Sequence, residues 1–427
     1  MLFRDALKKF EEEGLLVKIN KEVDVKYEMA AVMRALIDKP LLFENVKGFD
    51  MKVAANVCST RKLVAIGLGK KESELLPSLI DAIDNPKKVG IKEAEGYRDI
   101  GNDLYKLPIL TYYPFDGGPY IASGIVVAED PEYGLNASYH RAMVIGRDRI
   151  VMRILPRDFH KYIERGNREF AFCIGNPISV LIASAISVEI EKSELDIANA
   201  LYPISLIELD GLKAPEAEII MIAEVTDELH EEGPFLDLTE TPDIVRKQPV
   251  ARIKKIYVKE GCVFHALLPG GLEHKTLMGM PREPTIYKEV SKVCKVKDVY
   301  ITPGGCSWLH GVVSIYKQHP DDGKKAIEAA FRGHKSMKHV FVVDDDIDIH
   351  DPNQIEWAMA TRFQGDRDMV IKREKGSSLD PSSDLETRMT TKIGFDLTIP
   401  WDRDKKAFKK PSPPVEIDVR RYVDVSD

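Results

Sequence analysis

Glu232 and Asp237 stand five residues apart around Gly233-Pro234-Phe235, in the run His230-Glu231-Glu232-Gly233-Pro234-Phe235-Leu236-Asp237. A turn of that composition can aim both carboxylates into one cleft. There, burial or a neighbouring anion raises one pKa and leaves that acid able to donate a proton. The cation such a pair needs is Arg141, in Asn136-Ala137-Ser138-Tyr139-His140-Arg141. A guanidinium holds a carboxylate through two parallel hydrogen bonds. Asn136, and Glu194 after Ser193, are oxygen donors suited to a hard divalent ion. Arg153 and Arg157 fall at a strand end and the turn after it, within reach of a phosphate. His160 is either a ligand or a structural histidine on a helix. Each residue also has a plain local reading. Glu228 and Glu231 would make the acidic run a solvated loop, Arg141 a surface residue, Asn136 a turn residue, and Glu194 a helix N-terminal acid. A rival centre is Asp344-Asp345-Asp346-Ile347-Asp348-Ile349-His350-Asp351, placed after an apolar strand as in metal-dependent hydrolases. It lacks the spacing of a calcium loop, and the plain reading is a solvated turn.

The elements that must position these residues are read from periodicity. The chain has 427 residues, 44% of them hydrophobic, enough for two or three domains with real cores. Residues 1–19 carry an amphipathic helical pattern with Leu2, Ala6 and Phe10 near one face, and 72–83 reads as a helix. Residues 41–43 and 52–56 read as strands. Prolines and glycines cluster from Pro108 to Pro119 and mark a boundary. Strands follow at 121–128, 141–145, 150–155, 217–225 and 250–258, with turn chemistry at Asp130-Pro131-Glu132-Tyr133-Gly134 and a helix over 158–165. Beyond Gly271 helix and strand alternate: helix 285–296, strands 299–302 and 311–316, helix 324–332, strand 339–343. Residues 375–386 read as a surface loop, and the charged, Pro-rich tail after Trp401 as a loose segment or an arm on a neighbouring subunit. The fold class is α+β / α/β, with a β-barrel or sandwich at the centre.

Composition excludes several classes. A net charge of −8 with well-mixed signs argues against a nucleic-acid binder. The longest apolar stretch, 178–188, is short of the ~20 residues a membrane helix needs, and residues 1–19 hold no signal-peptide core. Cys58, Cys173, Cys262, Cys294 and Cys306 form no CxxC pair and read as reduced thiols. A soluble, cytoplasmic protein is expected. No Walker loop, dinucleotide fingerprint or GxSxG element is present.

Taken in order, these segments resemble the UbiD-type decarboxylases that use prenylated flavin mononucleotide (FMN). The matching segments are Phe115-Asp116-Gly117-Gly118-Pro119-Tyr120-Ile121, then Asn136 to Met143, Ser193-Glu194 and Glu232 to Asp237. Further on come Pro303-Gly304-Gly305-Cys306-Ser307, Val343 to Asp348, Ile355-Glu356-Trp357-Ala358, Thr361-Arg362 and Lys392-Ile393-Gly394-Phe395-Asp396.

The resemblance implies an N-terminal α/β domain at 1–105, an FMN-binding split β-barrel-like domain at 106–270, and a C-terminal α/β oligomerisation domain at 271–427. It implies that Asn136 and Glu194 hold manganese(II) against the cofactor phosphate, with a third ligand near Arg157 or His160, where this chain is shorter than many relatives. Ser138, Tyr139, His140, Arg141, Arg153, Ile154, Leu155 and Arg157 would bind the flavin. Ala183, Ser184 and Glu194 would hold a monovalent cation such as potassium. Arg141, Glu232 and Asp237 would be the catalytic network: Arg141 orients a carboxylic acid substrate, and Asp237, where some members carry Glu, is the proton carrier. A flavin prenyltransferase would supply the cofactor, and a homo-oligomer is expected. Within the family, the compact length and the His-Glu-Glu-Gly-Pro-Phe-Leu-Asp variant look most like the archaeal branch that decarboxylates trans-anhydromevalonate 5-phosphate. An aromatic or polyprenyl-hydroxybenzoate acid is the alternative substrate. A flavin carrier, which would not need the acid pair, is the alternative from another class.

Overall fold

The computed structural model describes residues 1–427 apart from 412, 416, 419, 420 and 423–427, so the expected arm beyond Trp401 falls partly outside the described residues. The strand Ile219–Glu232 shows how the centre is built. Ile219, Met221, Ala223 and Val225 enter one buried cluster, while Ile220 and Ile222 enter a second. Its neighbour Glu169–Ile174 divides the same way, Phe170, Phe172 and Ile174 against Ala171 and Cys173. A strand covered on both faces is a continuous apolar run, and both segments are. The second cluster includes the helices Ile178–Ala183 and Glu194–Leu201.

These strands belong to a nine-stranded sheet. Its path runs Tyr120–Ile121, Ala142–Val144, Arg149–Met152, Arg246–Lys259, Ile219–Glu232, Glu169–Ile174, Ile125–Asp130, Gly134–Tyr139, and Tyr97–Asp99 adds to Arg246–Lys259. Gly134–Tyr139 is the last strand of the path and Ala142–Val144 the second. Yet Tyr139 and Ala142 are three residues apart, at most about 11 Å. The sheet therefore curls until its ends nearly meet, which is the split barrel expected, and the linker that spans the gap is His140-Arg141.

Two smaller sheets flank it. One consists of Val17–Ile19, Leu41–Phe43, Lys52–Ala55 and Val263–Ala266. The other is a mixed five-stranded sheet in the order Val296–Ile301, His310–Ile315, His339–Asp344, Met389–Asp396, Met369–Lys375, packed under the helix Asp322–Gly333. Val263–Ala266 pairs with Lys52–Ala55, and Tyr97–Asp99 pairs with the barrel strand Arg246–Lys259. Strands are thus exchanged between the segments on either side of residue 105.

Among the elements whose bounds differ from those expected, four show the cause. The strand expected at 121–128 breaks at Ser123, whose hydroxyl donates to the His265 carbonyl at 2.6 Å and draws the chain out of the ladder. The helix expected at 285–296 ends at Ser291, and Val296 opens a strand, because the Tyr316 N–H claims the Lys295 carbonyl at 2.9 Å. The strands expected at 217–225 and 250–258 run on as a two-stranded ribbon in which Leu229, His230, Glu231 and Glu232 pair with Pro249, Gln248, Lys247 and Arg246. Glu232 is therefore the last residue of a strand, not part of a loop. Only Glu232 of those four is buried, so the ribbon carries no apolar signal.

Candidate active site

Arg141 leaves the barrel gap and meets the end of the ribbon. Its Nε and Nη2 donate to the two oxygens of Glu232 at 2.9 and 3.0 Å. Its Nη1 donates to Asp237 Oδ2 at 3.0 Å, and Nη2 also donates to Asp243 Oδ2 at 2.8 Å. The Phe235 ring lies 4.7 Å below the guanidinium carbon. The turn that holds this geometry needs two glycines. Gly233 sits at φ 105°, and a Cβ on Gly117 would fall 2.2 Å from the Gly233 carbonyl oxygen. The Phe115–Ile121 motif thus packs against the acid-bearing turn, with the Gly117 N–H donating to the Pro234 carbonyl at 3.1 Å.

Three carboxylates share one guanidinium, and the third was not visible in the sequence. Asp243 pairs with Phe235 across a short hairpin and also accepts from Arg246 Nη1 at 2.8 Å. Burial raises its pKa, but the Arg246 and Arg141 guanidinium groups outweigh that and hold it at about 2. Burial likewise disfavours the charge on Arg141, and Glu232 leads the carboxylates that push its pKa further up instead. Glu232 has no solvent exposure and accepts a third bond, from the Tyr120 hydroxyl at 3.0 Å. Burial first, then the Glu232 charge, raise the Tyr120 pKa well above its usual value, so the phenol stays a donor. A guanidinium has five N–H bonds. Four are used here, so one on Nη1 is left, and a two-bond grip on a substrate carboxylate is not open to Arg141 while all three acids are in place.

Because the Asp243 pKa is lower in the fold than in the unfolded chain, its contribution is full above about pH 4 and vanishes as pH falls toward 2. Its size is about 2 kcal/mol. Asp243→Asn should lower the thermal midpoint at pH 7, and the gap to the parent should narrow to about a third by pH 2.5. An unchanged gap between those pH values would contradict the pairing.

The expected metal pair also meets. Asn136 Nδ2 lies 3.2 and 3.3 Å from the Glu194 carboxylate, whose Oε2 accepts the Ala137 N–H at 3.0 Å. Ser193 caps the helix Glu194–Leu201. The capping residue and the candidate ligand are thus neighbours, and each plays its own part. Burial dominates Glu194, raising its pKa to about 8 against the Ala137 hydrogen bond. Of the expected third ligands, His160 is on the helix surface, 3.5 Å from Glu164. Between Arg157 and His160, it is Asp158 whose charge bears on Glu194.

His140 Nδ1 donates to the Arg153 carbonyl at 3.1 Å, and burial lowers its pKa to about 4, so the ring is neutral. Tyr139 donates to the Leu181 carbonyl at 3.0 Å, and Ser138 Oγ stands 3.1 Å from Asn136 Oδ1. Ile154 is buried, its N–H donating to Gln248, whereas Leu155 is exposed.

A phosphate-bearing cofactor with a cation fits these residues. Arg153, Arg157 and Arg282 form no ion pair among the described residues, and the buried hydroxyls of Ser179 and Ser184 have no hydrogen-bond partner. Burial, then Arg246, lower the Arg153 pKa, the mark of a cation short of an anion.

The rival acidic cluster has a different use. Arg362 is fully buried and donates to both oxygens of Asp346 at 3.0 and 2.7 Å and to Asp344 at 3.3 Å. Asp344 also accepts the Ile399 N–H at 2.6 Å. A cation of the protein itself sits where the hydrolase reading needs a metal. A cavity of about 1040 Å³ lies elsewhere, on the face of the helix Leu272–Gly279 that carries Leu272 and Thr276. His274, two residues on from Leu272, feels the charges of Asp237 and Arg141 instead. His274 was missed in the sequence, and its pKa is lowered by burial while Asp237 opposes.

Comparisons with known proteins identify the family. Three models of the family described as 3-octaprenyl-4-hydroxybenzoate carboxy-lyase match in order: the N-terminal domain at residues 7–83, the Rift-related domain at 87–272, and the C-terminal domain at 275–397. The chain belongs to the UbiD family. It is similar to the anhydromevalonate phosphate decarboxylase of Methanocaldococcus jannaschii, 44% identical across 91% of this chain and 95% of that one. Among solved structures it is similar to the UbiD-class enzyme HmfF from Pelotomaculum thermopropionicum in complex with FMN: TM-score 0.94, 34% identity, 99% of this chain and all of that one. An evolved dimeric form of HmfF in complex with prenylated FMN gives a TM-score of 0.90 at 33% identity, over 99% of this chain and all of that one. No helix among the described residues is long and apolar enough to cross a membrane.

Proposed function

We propose that this chain is a prenylated-FMN-dependent carboxy-lyase that converts trans-anhydromevalonate 5-phosphate to isopentenyl phosphate and carbon dioxide. The observation that carries the reading is Arg141 shared by Glu232, Asp237 and Asp243, three acids on one guanidinium with one N–H to spare. The similarity to a full-length archaeal relative of that activity selects the substrate. When bound, prenylated FMN supplies the electron sink for loss of carbon dioxide. The chain's own residues do the rest. The spare Nη1–H of Arg141 meets one oxygen of the acid, and the Phe235 ring keeps water from the guanidinium. Asp237 delivers one proton to the carbon that loses the carboxylate, and Glu232 and Asp243 hold Arg141 in place.

Asn136 and Glu194, with Asp158 as third oxygen donor, would hold manganese(II) against the cofactor phosphate, and Ala183, Ser184 and Glu194 a potassium ion. Arg153 would neutralise the remaining phosphate charge, and Arg157, the next cation along the chain, bears on Arg282. Ser138, Tyr139, His140, Ile154 and Leu155 line the same stretch. A flavin prenyltransferase would supply the cofactor, and the chain would work as a cytoplasmic homo-oligomer of three domains, 1–105, 106–270 and 271–427. Glu194→Gln, purified from cells that co-express the prenyltransferase, should retain about 10-fold less manganese and flavin. Metal analysis and flavin absorbance read this directly, and parental content would refute the ligand assignment.

The function itself is tested by incubating cofactor-loaded protein with the phosphorylated acid and, separately, with 4-hydroxybenzoate. Carbon dioxide and isopentenyl phosphate in equal amounts from the first are expected. Turnover of the aromatic acid alone would overturn the reading.

A further inference from the structure

Arg282 is a cation prepared for a ligand that nothing in the protein replaces. It lies in the short 3-10 turn Met280–Arg282, which continues the helix Leu272–Gly279. Its Nη1 donates to Ser187 Oγ at 2.7 Å, and its guanidinium lies 5.2 Å from the centre of the Trp308 ring. Its Nε is sealed from solvent and has no hydrogen-bond partner. The charge that bears on it is another cation, Arg157, and burial followed by that repulsion lowers its pKa to about 10. A buried N–H without an acceptor costs about 1–3 kcal/mol, more when charged. Two like charges held together add to that, so the arrangement is relieved by an anion.

The position says which anion. His274 and Arg282 are eight residues apart on the element running from Leu272 to Arg282, about 12 Å along its axis. His274 is the end that feels Asp237 and Arg141. A single ligand lying along this element would place a carboxylate at Arg141 and a second anionic group at Arg282. Two guanidinium groups and a hydroxyl offer more donors than a second carboxylate can accept, and they match the three oxygens and near-double charge of a phosphomonoester.

We propose that Arg282, with Arg157 and Ser187, binds the phosphate of the substrate. This rests on the decarboxylase reading above and deepens it by assigning the second recognition site of a phosphorylated acid. The cofactor phosphate is the other source of the same chemistry, and the experiment separates the two.

Arg282→Gln and Arg282→Lys are prepared as flavin-loaded enzyme. Flavin per chain, kcat and KM are measured. The affinity for the saturated analogue 3-methyl-5-phosphooxypentanoate, and for its counterpart without phosphate, is read by calorimetry. Arg282→Gln should raise KM and the analogue's Kd by about 10- to 100-fold. It should lower kcat less, leave flavin content at the parental level, and leave affinity for the phosphate-free counterpart unchanged. Arg282→Lys should recover part of the loss. Should Arg282→Gln fail to fold, Ser187→Ala should show a smaller rise confined to the phosphorylated analogue. Loss of flavin with an unchanged KM would assign the site to the cofactor and overturn the proposal, as would no change in either quantity. If the parent binds the phosphorylated analogue through Arg282 but releases no carbon dioxide from the acid, the decarboxylase reading fails and this site stands.

Discussion

Arg141→Lys should lower kcat/KM by about 10³-fold, or about 4 kcal/mol of transition-state stabilisation. The charge is retained, so the loss reports geometry. An ammonium has three donors on one atom and cannot span both oxygens of Glu232 while reaching Asp237 and Asp243, which the guanidinium does with four bonds of 2.8 to 3.0 Å. Arg141→Met goes further and leaves Glu232, with no solvent exposure, as an uncompensated buried charge. That should cost about 3–5 kcal/mol of stability. The double change Arg141→Met with Glu232→Gln removes both partners and should recover much of the stability but none of the turnover. Thermal midpoints and carbon dioxide release separate the two effects. Arg141→Lys with turnover within tenfold of the parent would show that the network is structural.

The same network shows what a sequence can and cannot disclose. Arg141, Glu232 and Asp237 were readable because each lies in a run of distinctive composition. Asn136 and Glu194 were legible as ligands only through the family resemblance, since Ser193 locally marks Glu194 as a helix N-terminal acid. The barrel strands were readable from their apolar runs. Asp243 was not, because it follows Thr239-Glu240-Thr241, polar residues that look like any exposed turn. Only the pairing of Phe235–Leu236 with Pro242–Asp243 brings it back to Arg141. Its available signal was Arg246, three residues on, a cation whose partner the local sequence already held. Tyr120, 112 residues from Glu232, and His274 and Arg282, on the far side of the barrel in the chain, had no local signal at all. They come into place through the curl of the sheet and the docking of the helix Leu272–Gly279. The Asp344–Asp351 acids misled for the converse reason: their counter-ion, Arg362, is 16 residues from Asp346 and invisible until the helix Pro352–Arg362 packs back.

Asp237→Asn should abolish proton delivery while sparing the fold, and the comparison with Glu232→Gln decides which acid carries the proton. The three carboxylates around Arg141 are not equivalent. Glu232 is sealed and takes both a two-bond grip from Arg141 and the Tyr120 hydroxyl. Asp243 is 13% exposed and doubly paired, with Arg141 and Arg246. Asp237 is 18% exposed, gives Arg141 a single contact through Oδ2, and spends Oδ1 on the N–H of its own neighbour Leu238 at 2.7 Å. A residue that hands a proton to carbon must be recharged from water once per turnover. Only the member with an open edge and one bond to break can do that at little cost. Removing a general acid of this kind lowers kcat by about 10²- to 10⁴-fold. Asp237→Asn should fall in that range with flavin content and thermal midpoint near the parental values. Asp237→Glu, which restores the acid on a longer arm, should recover part of the rate. Glu232→Gln should instead lose stability together with activity, because either placement of the neutral amide turns its N–H₂ toward an Arg141 N–H. If Asp237→Asn turned over within tenfold of the parent while Glu232→Gln kept its midpoint and lost the reaction, the proton would belong to Glu232, and the buried tyrosine beside it would have to be its route to water.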